Sequence, residues 1–176
     1  MGQLHPELER ILITTEDIQV RVIELSNQIT ADYSDIDQLY IIGILKGAFI
    51  FMADLTRHIE VAHIVDFMAL SSYGKTTTTG AVRILMDLRE PIEGKHVLIV
   101  EDIVDSGNTV KYLHRVLKGR KPASMRTCAL LRKQREANDI PIDYLGFDIP
   151  DEWVVGYGLD IAEKHRTLPY IATIKR

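Results

Sequence analysis

Apolar residues recur along the chain in two alternating patterns, one typical of helices and one typical of buried strands. Over residues 14–29 the apolar side chains fall at helical spacing, and Thr14 with Asp17 three positions later resembles an N-terminal capping box. Leu39–Leu45 is a continuous apolar run, as expected for a strand that is buried on both faces. After a two-residue turn, the apolar residues again fall on one helical face. This succession of strand, turn and helix predicts the start of a parallel α/β unit.

The same alternation continues to the end of the chain. Further strands are predicted at residues 61–70, 81–86, 96–100, 127–131, 153–157 and 170–174. A second long helical stripe carries Val110, Leu113 and Leu117 and is predicted to end near Gly119 and Pro122. The fold class is therefore α/β, with a mostly parallel central sheet flanked by helices. Since no repeat or linker divides the chain, we expect residues 1–176 to form a single domain.

The composition excludes several classes of protein. The chain has 176 residues, of which 46% are hydrophobic and 26% charged, and its formal net charge is −4. A negative net charge argues against nucleic acid or a membrane surface as the main partner. No run approaches the ~18 apolar residues that a membrane span requires, and the first residues lack the basic and then apolar pattern of a signal peptide. An ordinary globular protein with no nucleic-acid or membrane partner is the expectation.

The cysteine and histidine residues add two further expectations. The single cysteine, Cys128, lies in an apolar run, so we expect an inert thiol in the core. One cysteine can form neither an internal disulfide nor a cysteine zinc site, and we therefore expect a reducing, cytoplasmic compartment. The six histidines show no spacing typical of metal ligands, so the sequence predicts no histidine metal site.

Residues 97–109 carry the strongest chemical signal, because an apolar strand leads there through acids and hydroxyls into a helix. The strand is predicted to end in two adjacent acids, Glu101 and Asp102. The turn that follows contains Asp105, Ser106, Gly107 and Thr109. Free N–H groups at the helix start and the hydroxyls would form a cradle for an anion. Acids beside that cradle would repel a phosphate unless they bind hydroxyls or a metal, so a sugar phosphate fits.

An acidic helix cap is the alternative interpretation of this segment. Capping explains Asp105 or Ser106 taken singly. It does not explain Glu101 and Asp102 at the end of a strand that is otherwise apolar. The spacing matches neither a Walker loop nor a dinucleotide-binding glycine turn.

The segment resembles the phosphoribosyl-pyrophosphate motif of the type I phosphoribosyltransferases: an apolar strand, two acids, two apolar residues, then Asp, a hydroxyl residue, Gly, any residue and Thr. Further matches resemble one branch of that family, the hypoxanthine(-guanine) phosphoribosyltransferases. They are Leu45-Lys46-Gly47, Ser72-Tyr73, Lys133 after a strand, and residues 153–160 leading to Arg166. The resemblance covers nearly the whole chain.

This resemblance implies a fold and an activity. The fold would include a small hood element formed by the chain ends, and residues 71–80, which lack apolar side chains apart from Tyr73, would be a mobile active-site lid. The enzyme would transfer a 5-phosphoribosyl group from phosphoribosyl pyrophosphate to hypoxanthine or guanine, giving IMP or GMP and pyrophosphate in purine salvage. It would require Mg²⁺ and would form a homodimer or a homotetramer.

The resemblance also implies a role for each matching residue on the donor side. Glu101 and Asp102 would hold the ribose hydroxyls. The 5′-phosphate would be bound by Asp105, Ser106, Gly107, Asn108 and Thr109. Pyrophosphate would be bound by Lys46 and Gly47, after a cis Leu45–Lys46 bond, and by Ser72, Tyr73 and Arg166. Mg²⁺ would be coordinated by Asp160, with Glu101 and Asp102.

On the base side, Asp105 would also face the purine N7 and accept its proton. Lys133 would bond the carbonyl oxygen, Trp153 would stack on the ring and the Val154 backbone would contact its edge. The chain departs from the common family pattern at two of these positions. Ser106 stands where threonine is common, and Trp153 replaces phenylalanine or tyrosine, which enlarges the stacking face.

Two other functions remain open at this point. A phosphoribosyltransferase-like regulator that senses nucleotides and binds RNA could use a basic patch formed by Arg115, Lys118, Arg120 and Lys121. The negative net charge weighs against it. A transferase that prefers xanthine or a pyrimidine is the second alternative, because the sequence does not rank the bases.

Overall fold

The structure is a computed structural model that describes residues 5–72, 82–135 and 141–175. The elements in this part of the chain are, in order, β1 (Leu8–Ile13), α1 (Thr15–Asp32), β2 (Leu39–Leu45), α2 (Phe49–Thr56), β3 (His63–Ser72), β4 (Val82–Met86), β5 (His96–Val104), α3 (Asn108–Lys118), β6 (Ser124–Lys133), β7 (Tyr144–Ile149), β8 (Val154–Val155) and β9 (Ile171–Ile174).

Six strands form the main sheet, in the order β4-β3-β2-β5-β6-β7. Neighbouring strands are parallel except for β3 and β4, which are antiparallel. The chain builds outward from β2 to β3 and β4 on one side, and from β5 to β6 and β7 on the other. The strand order therefore reverses between β2 and β5, and open α/β sheets bind their ligands beyond the carboxyl ends of the strands at such a point. The predicted mostly parallel sheet is confirmed.

Helices cover both faces of this sheet, as the two-sided burial of β2 requires. Leu39 and Ile41 of β2 pack in the core cluster that contains the buried residues of α1 and α2. Tyr40 and Ile42 point to the other face and belong to the cluster that includes Leu113 of α3. The alternation along β2 thus places α1 and α2 on one side and α3 on the other.

A second, smaller sheet combines the two ends of the chain. Its strands lie in the order β1-β9-β8, and both neighbouring pairs are antiparallel. Residues of this sheet also reach the main core, where Val154 and Ile171 are buried in the same cluster as α1. This arrangement confirms the expected hood element formed by the chain ends.

Most predicted elements are confirmed, and the differences have physical causes. β2 has the predicted bounds, and Thr14 caps α1 by accepting a hydrogen bond from the backbone N–H of Asp17. The predicted end of β5 at residue 100 is wrong, because the strand continues in register with β6 as far as Val104 opposite Arg132. Strands β1 and β7 were not predicted, since short segments with mixed polar and apolar residues carry a weak signal.

Two further observations concern burial and hydropathy. The Cys128 thiol is buried in the core, and burial raises its pKa, as expected for an inert thiol. Within the part of the chain that the structure describes, the helices are too short or too polar to cross a membrane.

Candidate functional site

The phosphate cradle predicted between β5 and α3 has the backbone geometry that an anion site needs. Gly107 occupies the N-cap position of α3 with a φ of 73°, a left-handed conformation that glycine adopts without a side-chain clash. Being glycine, it brings no side chain to bond the N–H groups of the first helical turn. Those groups and the positive end of the helix dipole are therefore available to an anion that lies between Ser106 and Thr109.

Glu101 and Asp102 were predicted at the end of the strand, but they lie inside β5, which continues as far as Val104. The Glu101 side chain is buried, and its Oε1 has no hydrogen-bond partner among the described residues. Burial, and then the charge of Asp102, raises the pKa of Glu101. Burial also raises the pKa of Asp102 to about 6. A buried carboxyl group with an oxygen that has no hydrogen-bond partner in the described part of the chain is costly to stability, which is typical of a functional site.

The segment after β2 closes against these acids. The Leu45–Lys46 peptide bond is cis, as the resemblance implied. A Cβ on Gly47 would lie 1.6 Å from Oδ2 of Asp102, so the Asp102 carboxyl group is in direct contact with the backbone there. A Cβ on Gly158, which has a φ of 106°, would lie 1.9 Å from the carbonyl oxygen of Gly47. Three distant parts of the chain therefore meet with no room for a side chain between them.

Beyond Gly158, Arg166 and Asp160 lie beside the acids of β5. Arg166 donates from Nη1 to the carbonyl oxygen of Gly158 at 2.6 Å, and its Nη2 is 2.7 Å from Oδ1 of Asp160. Both side chains lie close enough to Asp102 to affect its pKa, which Arg166 lowers and Asp160 raises. The structure thus brings the predicted pyrophosphate residue and the predicted metal ligand to the same edge of the sheet.

Sequence reasoning missed Glu163, which links the two predicted pyrophosphate-binding cations. Its Oε1 is 3.1 Å from Nζ of Lys46, and its Oε2 is 3.2 Å from Nη2 of Arg166. No motif marked this residue, because its contacts depend on a turn in which Ala162 and Glu163 both have positive φ. An incoming pyrophosphate would compete with Glu163 for the same two cations.

Lys133, the predicted base-binding cation, lies next to Asp105 and is surrounded by charged residues. The register of β5 with β6 pairs Val104 with Arg132, so the next residues, Asp105 and Lys133, are neighbours. The Lys133 side chain is 6% exposed, and its Nζ is 3.5 Å from Oδ2 of Asp105 and 3.5 Å from Oδ1 of Asp151. Lys133 is therefore a buried cation, although it belongs to the charged sequence Arg132-Lys133-Gln134-Arg135, which by itself would indicate a solvated loop.

Trp153 and Val154 complete this side of the site. Nζ of Lys133 lies 5.4 Å from the centroid of the Trp153 ring, and Trp153 as a whole is 66% exposed. Val154 is buried at the start of β8. A large ring face that is exposed beside a buried cation can stack with a flat, polar ligand.

Part of the predicted lid lies outside the described residues, including Tyr73. The prediction that residues 71 and 72 belong to a loop is wrong. They lie at the end of β3, because Ser71 and Ser72 pair with Arg83 and Val82 of β4. The structure thus places the backbone of Ser72 and gives no test of the roles of Ser72 and Tyr73 in binding.

The basic patch that could have bound RNA is partly neutralised. Arg120 donates to both carboxylate oxygens of Asp87 at 2.8 Å. Lys121 is 3.8 Å from Glu93, and the Arg115 guanidinium lies over the Tyr112 ring. Cations with such partners contribute less to phosphate binding than free ones.

The folded chain brings two of the six histidines together, although their spacing in the sequence suggested no such group. His5, Glu7 and His165 place ligand atoms within 4.8 Å of one another, and they are the one group of this kind in the described ranges. Glu7 Oε2 is 2.6 Å from Nε2 of His165. This hydrogen bond, which also lowers the pKa of Glu7, joins the two chain ends and accounts for the grouping.

Comparison with known proteins gives one family for nearly the whole chain. Residues 12–162 match the family described as phosphoribosyl transferase domain. The chain is 49% identical over 170 residues to the hypoxanthine-guanine phosphoribosyltransferase of Dictyostelium discoideum, with 94% of each chain covered.

Solved structures agree with this match. The hypoxanthine-guanine phosphoribosyltransferase of Bacillus anthracis superimposes with a TM-score of 0.90 at 45% identity, covering 96% of this chain and 100% of that one. The hypoxanthine phosphoribosyltransferase of Trypanosoma cruzi, in complex with the product IMP, superimposes with a TM-score of 0.90 at 40% identity, covering 99% and 98%.

Proposed function

The chain belongs to the phosphoribosyl transferase family, and we propose that it is a purine salvage enzyme that transfers a 5-phosphoribosyl group from phosphoribosyl pyrophosphate to hypoxanthine or guanine. The products are IMP or GMP and pyrophosphate. In this reaction a ring nitrogen of the base forms a bond to C1 of the ribose while the bond from C1 to pyrophosphate breaks. The named relatives and the IMP complex of the T. cruzi enzyme support this proposal.

The observation that carries the proposal is the pair formed by Lys133 Nζ and Asp105 Oδ2, 3.5 Å apart beside the exposed Trp153 ring. An ammonium group only donates hydrogen bonds, and an ionised carboxylate only accepts them. A 6-oxopurine presents a carbonyl oxygen and the N7–H group at neighbouring positions of one edge, an acceptor beside a donor. The two side chains therefore match a 6-oxopurine and mismatch adenine, whose amino group at the same position is a donor.

The remaining residues are assigned to the donor. Glu101 and Asp102 accept hydrogen bonds from the ribose hydroxyls, which would satisfy the unbonded Oε1 of Glu101. The 5′-phosphate lies at the start of α3 against Asp105, Ser106, Gly107, Asn108 and Thr109. Pyrophosphate is bound by Lys46, Gly47, Ser72, Tyr73 and Arg166, and the lid that we propose after Ser72 would exclude water.

The acids also fit a Mg²⁺ ion, with Asp160, Glu101 and Asp102 as candidate ligands. Mg²⁺ in such enzymes is held by one or two carboxylates and by substrate oxygens, so a protein cage of three acids is not required. In the described part of the chain these three acids do not form such a cage. When bound with the donor, Mg²⁺ would neutralise the charge that develops on pyrophosphate.

Trp153 permits a direct binding test, because it is the one tryptophan of the chain. If the base stacks on its exposed ring, titration with IMP or GMP should change the intrinsic fluorescence and saturate, whereas AMP should have little effect. The Trp153→Phe variant is the control, because it should lose the signal and retain turnover. A saturating signal with AMP equal to that with IMP would contradict the proposed base site.

A nucleotide-sensing RNA-binding regulator is the second candidate. Filter binding of RNA at two salt concentrations separates the two, since phosphate contacts make affinity fall steeply with salt. We expect RNA to bind weakly, because two cations of the basic patch, Arg120 and Lys121, already pair with Asp87 and Glu93. The cytoplasmic location, the homodimer or homotetramer and the preference between hypoxanthine, guanine and xanthine remain parts of the proposal.

A further inference from the structure

Four charged side chains form a closed ring of alternating sign at the base side of the site. Lys133 Nζ lies 3.5 Å from both Asp105 and Asp151. Arg135 closes the ring from the other side: its Nη1 is 2.6 Å from Oδ1 of Asp105. The same guanidinium donates from Nε and Nη2 to the two oxygens of Asp151, at 2.9 and 2.6 Å. Asp105 therefore has Lys133 at one oxygen and Arg135 at the other.

The strand register explains why Arg135 reaches this position. β6 and β7 are parallel, and Arg132 pairs with Asp148 and Lys133 with Ile149, an offset of 16 residues. Arg135 and Asp151 continue the same offset beyond the ends of the two strands. Asp105 lies beyond the end of β5, the neighbour of β6 on the other side. Arg135 is thus held between the segments that follow β5 and β7.

The shape of the guanidinium decides what Arg135 can do there. Its donors lie in one plane in a fixed fork, whereas a lysine ammonium is a point charge on a flexible stem. Asp151 binds two of the three guanidinium nitrogens of Arg135, Nε and Nη2, and this fixes the third nitrogen, Nη1, at ion-pair distance from Oδ1 of Asp105, 2.6 Å. A contact at Oδ1 limits rotation of the Asp105 carboxylate. Oδ2 then faces Lys133 and the space proposed for the base.

We propose that Arg135 is a positioning residue that orients Asp105 for proton acceptance, an inference that rests on the proposed function. The N7 proton of the base passes to Oδ2 of Asp105, and the electron pair left on the base supports bond formation from the ring nitrogen to C1. Arg135 keeps its own protons throughout, holds Oδ1 and touches neither substrate. The alternative is that Arg135 and Asp151 form an ordinary surface ion pair, which contributes little.

Arg132 offers a matched control for this inference. It bonds both oxygens of Asp148 at 2.7 and 3.0 Å, with the same residue offset and a similar exposure, 35% against 38% for Arg135. Its guanidinium bonds no part of Asp105. We expect Arg135→Ala to lower kcat for hypoxanthine roughly tenfold, less than the ~100-fold that a 1 Å misplacement can cost, with KM for phosphoribosyl pyrophosphate unchanged. Arg132→Ala should keep the wild-type kcat.

Two further measurements distinguish positioning from a general loss of structure. Arg135→Lys keeps the charge without the fork, so it should recover only part of the lost kcat while its Tm stays at the wild-type value. In the Asp105→Asn background, Arg135→Ala should cause no further loss, because both changes act through one carboxylate. An equal loss in that background, or equal kcat values for Arg135→Ala and Arg132→Ala, would overturn the inference. A wild-type protein without transferase activity would overturn the proposed function as well, whereas an active wild type with a silent Arg135→Ala would overturn this inference alone.

Discussion

Asp105 and Lys133 are the two residues on which base chemistry depends. Asp105 directly follows β5 and Lys133 is the last residue of β6, and the register of those strands makes them neighbours. One is an acceptor and the other a donor, and the Lys133 ammonium lies 5.4 Å from the centroid of the Trp153 ring. Each can therefore be tested separately.

Asp105→Asn tests the proton-transfer step. The amide fits the same space and can still hydrogen bond, but it cannot accept the N7 proton. We expect kcat to fall by ~10²-fold or more, the usual scale of general base catalysis, with much less change in the affinity for phosphoribosyl pyrophosphate. Steady-state kinetics with each substrate varied in turn measures both quantities. Near-normal turnover in this variant would remove Asp105 from the proton-transfer role.

Lys133→Ala tests recognition of the carbonyl oxygen. Without the buried ammonium, the oxopurine loses a charge-assisted hydrogen bond of roughly 1.5–3 kcal/mol, so kcat/KM for hypoxanthine should fall about 10–100-fold. Binding of phosphoribosyl pyrophosphate, measured by calorimetry, should be largely intact. If the variant keeps its kcat/KM and still rejects adenine, another group reads the base.

Residue identity alone could reveal only part of this site. Glu101, Asp102 and Asp105 were found because they lie in one short motif. Arg135 and Glu163 were not, since their partners are distant in sequence and are brought close by strand register and by a turn with positive φ. Such contacts have no local signal that a sequence pattern could show.

Among the contacts between elements, Asp66 of β3 links this strand to its neighbour β2. Its carboxylate accepts hydrogen bonds from the Tyr40 hydroxyl of β2 at 2.6 Å and from the backbone N–H groups of Phe67 and Arg89 at 2.8 and 3.0 Å. Burial by itself would raise the pKa of Asp66, but these hydrogen bonds lower it below the ordinary value. The ionised form therefore stabilises the fold.

Asp66→Asn should consequently destabilise the protein in a pH-dependent way. A lowered folded-state pKa gives stability that is present above the ordinary pKa of about 3.9 and is lost as the pH falls through the lower folded-state value. At pH 7 and at pH 5 we expect the free energy of unfolding of the variant to be roughly 1–3 kcal/mol below that of the wild type. Below about pH 4 the difference between the two proteins should be smaller. Urea unfolding at pH 7, 5 and 3 measures it. A difference that is the same at all three values would contradict the ionised Asp66.

Tyr40→Phe is the companion variant for this prediction. It removes one of the donors to Asp66 and leaves both backbone N–H donors in place. It should therefore show the same dependence on pH with a smaller loss than Asp66→Asn.

Elements were predicted well where one pattern dominated. β2 is apolar throughout and has the predicted bounds, and α1 begins at its predicted cap. The end of β5 was missed because Glu101 and Asp102 are acids that tertiary pairing with β6 holds in a strand. Two adjacent acids are typical of a turn, but the hydrogen bonds to β6 keep this segment in the strand.

At the scale of the whole molecule, topology gathers the site. The order of the main sheet reverses between β2 and β5, which places Lys46, Gly47 and the acids of β5 at one crevice. The second sheet, made of the chain ends, brings Trp153, Asp160 and Arg166 over the same edge. Alternation of elements predicted the α/β class, whereas the pairing of β1 with β9 joins residues too distant for any local pattern.

Initial rates of nucleotide and pyrophosphate formation from phosphoribosyl pyrophosphate, Mg²⁺ and each purine base in turn measure both the proposed transfer and its choice of base. Transfer to hypoxanthine or guanine should be rapid and should form one pyrophosphate for each nucleotide. Transfer to adenine should be at least ~10²-fold slower, because the buried Lys133 ammonium would face the adenine amino group, a donor opposite a donor, and would make no hydrogen bond to the base. Equal rates with adenine and hypoxanthine, or nucleotide formation with neither oxopurine, would contradict the account.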